Sequence, residues 1–216
     1  GAKVLLLNLD VNPGYTCFTM QNIRQVEIYG LYIKGQLGAS FYALHMRQIQ
    51  QLRFGAPGKG NLVQGFGQAI FNEYFAGESP SDSLYFQSNF LGTDANGDTL
   101  SGSTINPQHF SLTHVRNVAI GGTSLSEGNV VAGGTGAITI TYWDTLGGFL
   151  HILNNRINTD RTGMKQLITY LQSDIMISGW NDGSSYPEGT TDVAIIFRDN
   201  ILSARLELFK IRYPFL

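Results

Sequence analysis

Short runs of alternating apolar and polar residues recur along this chain, separated by breaks rich in glycine, asparagine and aspartate. Period two is the mark of a strand with one buried and one wet face, and the β-branched and aromatic content of the runs agrees with it. The pattern predicts strands over Val4–Val11, Tyr15–Met20, Arg24–Leu37, Leu84–Leu91, Phe110–Ile120, Ala137–Asp144, Phe149–Leu153, Asp174–Trp180, Val193–Arg198 and Ala204–Tyr213. Gly30, inside the long Arg24–Leu37 run, points to a bulge or a close backbone approach.

Three stretches switch to helical spacing and predict short helices between strands: Ala43–Arg53, Leu62–Phe75 and Thr162–Gln172, the last with a capping residue at Asp160 or Thr162. Asn96-Gly97 predicts a hairpin tip, and Asp199-Asn200 a tight hairpin into the last strand. No self-similar period of 20–50 residues stands out. Short strands with Gly-rich connections therefore predict an all-β fold, a two-sheet β-sandwich of the jelly-roll type, as one domain over 1–216.

Composition changes the picture at the surface. Only 14% of residues are charged, against about 25% in ordinary domains, so hydroxyls, amides and glycine must cover much of it. This excludes a coiled coil and a highly charged disordered chain. The net charge of −2 is uneven: residues 1–60 carry +4, residues 61–150 carry −6, and residues 151–216 balance. Such bias predicts a basic face opposite an acidic one, through which copies could attract each other. No cluster of Lys and Arg suits a dedicated nucleic-acid binder. No apolar run approaches the roughly 20 residues of a membrane-spanning helix, and no Asn-X-Ser/Thr site occurs. Cys17 is the single cysteine, so no internal disulfide forms, and it reads as a buried, inert thiol.

Candidate chemistry is sparse. Gly55-Ala56-Pro57-Gly58-Lys59-Gly60 lacks the spacing and the hydroxyl of a phosphate loop. Asp94, Asn96 and Asp98 offer alternating oxygens as a calcium loop does, but Thr99 and Ile105 stand where such a loop needs Gly and Glu; a polar hairpin tip is the favoured reading. His45, His109, His114 and His151 show no metal spacing, and no nucleophile elbow accompanies them. No cofactor and no enzymatic activity are expected. Trp180, Asp182 and Tyr186 form a loop suited to stacking and hydrogen-bonding a sugar, while Trp143 reads as core. Tyr213, Phe215 and Leu216 keep the chain apolar to its last residue and suggest a surface covered by a neighbouring copy.

The long strand Arg24–Leu37 after the Asn-Pro-Gly and Gln-Asn-Ile segments, the long loops and the Phe209–Leu216 tail resemble the single, vertical jelly-roll coat proteins of viral capsids. The resemblance implies a structural virion subunit that acts through interfaces with copies of itself and other virion proteins. It departs from many shell proteins in lacking a basic arm. The alternatives are a carbohydrate-binding or adhesive β-sandwich module, extracellular or at a cell surface, which would bind a glycan, and a pilus-like filament subunit.

Overall fold

The computed structural model describes residues 16–35, 40–75, 77–101, 108–134, 136–141, 148–167, 175–178, 193–203 and 209–212. The chain winds as a coil of three strands per turn. The first turn holds β1 (Phe18–Gln21), β2 (Val26–Ile28) and β3 (Tyr32–Lys34); the second β4 (Ser40–Arg47), β5 (Leu52–Phe54) and β6 (Leu62–Gln64); the third β7 (Phe66–Asn72), β8 (Leu84–Phe86) and β9 (Phe90–Leu91). Next come β10 (Gln108–Thr113), β11 (Val118–Gly121) and β12 (Val130–Val131), then β13 (Gly136–Thr141), β14 (Gly148–Leu153) and β15 (Arg156–Ile157). The sixth turn holds β16 (Ile175–Ser178), β17 (Val193–Arg198) and β18 (Ile201–Leu202), and β19 (Phe209–Arg212) opens a seventh.

Each strand pairs in parallel with its counterpart one turn on. The first sheet runs β1-β4-β7-β10-β13-β16-β19, the second carries β2, β5, β8, β11, β14 and β17, and the third β3, β6, β9, β12, β15 and β18. This is a parallel β-helix, and the predicted antiparallel two-sheet jelly roll is incorrect. All-β content was readable because alternation is common to both folds; the pairing partner, which separates them, lies a full turn away.

Inward positions stack into columns. Ile28, Phe54, Phe86, Ile120 and Ile152 are in register along the second sheet, and Ile33, Val63, Leu91, Val131 and Ile157 along the third. All are buried in one core. Along the first sheet Leu44, Ile70, Phe110 and Ile138 are paired, and in each strand the preceding residue, Ala43, Ala69, His109 or Ala137, is buried as well. Two adjacent buried residues break the alternation at the same height in four turns.

That slip explains the predicted helices. Ala43–Arg53 covers most of β4 and β5, and Leu62–Phe75 contains β6 and β7. Buried Leu44, Met46, Ile49 and Leu52 fall two or three apart because a corner resets the inward phase, which imitates helical spacing. Of Thr162–Gln172, residues 162–167 form a turn and 168–172 lie outside the described residues. Arg24–Leu37 is two strands, with Gly30 at φ +63° on the corner between them. Val193–Arg198 is a strand as predicted, but Asp199-Asn200 carries the chain to another sheet and makes no hairpin.

The coil also contains the repeat that was not seen. Equivalent first-sheet positions Phe18, Leu44, Ile70, Phe110, Ile138, Ile175 and Phe209 lie between 26 and 40 residues apart. Irregular turn length conceals the period.

The corner between the second and third sheets is built the same way each time. Asn61, Asn89, Asn129, Asn155 and Asn200 occupy it in five successive turns. Each of the first four donates its backbone N–H to the next Asn side-chain oxygen, at 2.8–3.0 Å, and its Nδ2 to the same oxygen at 2.9–3.1 Å. The second Nδ2 proton goes to a carbonyl of the turn before: Ile28, Phe54, Phe86 and Ile120 for the first four, Ile152 for Asn200. An amide supplies two donors and a two-lone-pair acceptor, so Asn alone of the short side chains satisfies a buried corner in this way. Glycine shares the work: Gly121 sits at φ +83°, and a Cβ there would lie 1.9 Å from the Leu153 carbonyl oxygen.

Candidate functional site

The third sheet places its outward residues Leu62, Phe90, Val130, Arg156 and Ile201 in one register. A groove of about 510 Å³ lies over this row, floored by Phe90, Val130 and Arg156. Leu125 and Ser126 of a 3-10 turn (Leu125–Glu127) line one part, Arg161 another, and Gly58, Gly60, Ser88 and Asn154 the remainder. Its lining comes from four successive turns, so at a strand separation of about 4.8 Å the groove runs roughly 14 Å along the axis.

The loops beside it are fixed by side chains that cap backbone. In the 3-10 turn, Glu127 accepts from Ser124 N–H at 2.9 Å and from the Thr123 hydroxyl at 3.2 Å. The Ser124 N–H holds its carboxyl below the usual range against a small opposing effect of burial.

At the corner between the third and first sheets two loops share the pattern Thr-Asp-x-x-Gly: Thr93–Leu100 and Thr159–Gln166. Each is closed by an antiparallel bridge, Thr93 with Leu100 and Thr159 with Gln166. Asp94 Oδ1 accepts from Asp98 N–H at 2.8 Å, and Asp160 Oδ1 from Met164 N–H at 3.0 Å. Gly97 and Gly163 donate to the carbonyl of their own Asp at 3.0 and 2.9 Å. The loops touch: Arg161 N–H donates to Gly97 O at 2.8 Å, Arg161 Nε lies 3.6 Å from Asp98 Oδ1, and Lys165 Nζ donates to Asp98 O at 3.1 Å. The Asp98 N–H holds Asp94 below its ordinary value. For Asp160, desolvation pushes upward, but hydrogen bonds from the Lys165 N–H and the Thr162 hydroxyl outweigh it.

The predicted candidates sort out as follows. Asp94, Asn96 and Asp98 form the polar hairpin tip, with the Asp94 carboxylate turned into its own loop. Asp160 caps no helix among the described residues; its carboxylate closes a tight turn instead. Among the described residues no group of three His, Cys, Asp or Glu side chains converges as a metal shell would.

The four imidazoles stand apart. His45 is on the outer face of the first sheet and donates to Glu73 Oε2 at 3.1 Å. His114 stacks on Tyr74 with ring centroids 4.0 Å apart, and His151 lies 4.6 Å from the Phe149 ring. His109 is buried in the core, where Nε2–H donates to Ala132 O at 2.8 Å; burial pushes it down to about 4. Cys17 packs against the core, and burial pushes its thiol up to about 11, so it stays protonated at neutral pH.

Trp143, the sugar-stacking set Trp180, Asp182 and Tyr186, and the interface residues Tyr213, Phe215 and Leu216 lie outside the described residues. Sequence reasoning missed the groove, Arg156 and Arg161; the repeated Thr-Asp-x-x-Gly was the available signal. No helix among the described residues is long and apolar enough to cross a membrane.

The class the geometry defines is a parallel β-helix with a groove on its third face. No protein-family model, no curated protein and no solved structure matches the chain.

Proposed function

We propose that this chain is a non-catalytic β-helical module that binds an extended, hydroxyl-rich chain, a glycan, along the groove of its third sheet. The groove's length over four turns carries this reading. An apolar floor from Phe90 and Val130, flanked by Ser88, Ser126, Asn154 and backbone groups, suits a sugar chain with apolar ring faces and a polar edge. A rigid coil also presents such a site without ordering cost at binding. The setting proposed for it is a virion or cell surface.

A glycan array followed by calorimetry tests this. Ser126 is exposed on the 3-10 turn, so Ser126→Trp fills the groove without touching the core. The expected result is oligosaccharide binding weakened about tenfold or more by this change, a difference of about 1.4 kcal/mol. Binding that Ser126→Trp leaves intact, or no glycan binding at millimolar concentration, rejects the reading.

A second reading, self-assembly, follows the virion-subunit expectation without its jelly roll. It is favoured by β17 and β18, where outward Ile196 and Ile201 are 41% and 37% exposed. A patch of this kind suits burial against another copy. Light scattering of the wild type and of Ile196→Asp decides it: particles or fibres lost in the variant support assembly, and a monodisperse monomer at high concentration rejects it.

A further inference from the structure

Arg156 interrupts an otherwise apolar outward column, standing between Val130 and Ile201. Its Nε is shut off from water and has no hydrogen-bond partner among the described residues. Among the described residues its one hydrogen-bond contact is Nη1 to the Asn155 carbonyl oxygen at 3.5 Å, long for a hydrogen bond. A guanidinium among apolar neighbours without a counter-charge is unfavourable unless something else supplies one.

Among the described residues the neighbouring carboxylates are committed elsewhere. Asp98 faces Arg161 and Asp160 closes its own loop. Glu127 turns back to Ser124 and Thr123. Arg161 also lines the groove.

We infer that the groove takes an anionic chain, with a carboxylate or sulfate of the ligand received by the Nη groups of Arg156, whose charge no described carboxylate neutralises. The inference rests on the groove reading above and adds the charge of the ligand. Planar guanidinium matches both oxyanions through paired N–H donors, and the apolar floor beside it lowers the competition from water.

The test compares three oligosaccharides of one length: a hyaluronan hexasaccharide, which carries carboxylates only; sulfated maltohexaose, which carries sulfates only; and plain maltohexaose. Affinities are measured for wild type, Arg156→Gln and Ser126→Trp, with thermal melts confirming that each variant is folded. The expected result is that at least one anionic chain binds about tenfold or more tighter than maltohexaose at low salt, weakens as salt rises, and loses that preference in Arg156→Gln, binding the variant no tighter than maltohexaose does. Preference for hyaluronan identifies a carboxylate, preference for the sulfated chain a sulfate, and equal gain a site for either.

Equal binding of all three chains, or anionic binding that Arg156→Gln leaves intact, overturns the inference; the groove reading survives if Ser126→Trp still abolishes binding. Absence of binding to all three overturns both.

Discussion

Two corners of the coil, the second between the second and third sheets and the third between the third and first, turn the chain by different means. At the second corner one residue type, Asn, recurs in five successive turns, and its amide bonds run from each turn to the next. At the third corner the connections differ from turn to turn: Gly65 alone separates β6 from β7, whereas an eight-residue loop follows both β9 and β15. Those loops cap themselves with Asp94 and Asp160 and lean on each other through Arg161. The second corner therefore couples turns, while loops at the third can lengthen without disturbing the columns behind them. Insertions in a stacked repeat collect on one side and shape its binding surface, which is where Arg161 meets the groove.

The largest effect expected from breaking this contrast is at the middle rung. Asn129→Ala leaves the Asn89 N–H and the Phe86 carbonyl buried without their partner, at a cost of about 3–5 kcal/mol. Chemical denaturation measures it. Asn200→Ala, at the end of the ladder and half-exposed, is expected to cost roughly 1 kcal/mol; equal losses at the two rungs would contradict the ladder as a cooperative unit.

Close behind comes the buried imidazole. His109 in the folded chain titrates at about 4, below its ordinary 6.5. The unfolded chain therefore takes up the proton first as pH falls. Stability is complete above pH 6.5 and declines between 6.5 and 4, by roughly 3 kcal/mol in full. Denaturation midpoints of wild type and His109→Gln from pH 7 to 4 should diverge by that margin, with the variant the less acid-sensitive.

Smaller effects belong to the other corner. Asp94→Ala or Asp160→Ala is expected to speed amide exchange within 93–100 or 159–166 and to leave the global unfolding midpoint nearly unchanged. A large global loss from either would make these loops part of the framework. Smallest of all, Met164, 90% exposed at the tip of the second loop, should tolerate Ala within about 0.5 kcal/mol.

This contrast also explains what could be read from the sequence. Alternation located Val193–Arg198 and most other strands, because inward and outward positions are local facts. It joined β2 to β3 and β8 to β9 because a corner of a few residues interrupts the pattern too briefly. The ladder Asn residues are spaced 28, 40, 26 and 45 apart, and no fixed period exposes them. Parallel pairing one turn away leaves no local mark, so Gly-rich turns suggested hairpins and with them a sandwich. Arg156 was unremarkable as one charge among few; only the register beside Val130 and Ile201 gives it meaning.

Hydrogen exchange resolved by residue tests the division between the corners most directly. The backbone amides of Asn61, Asn89, Asn129 and Asn155, each donated to the next side chain in the ladder, should be among the slowest in the molecule and open only with global unfolding. Those of Ala95, Asn96 and Thr162 at the loop tips should exchange orders of magnitude faster. Ladder amides that exchange as fast as the loop tips would contradict the account.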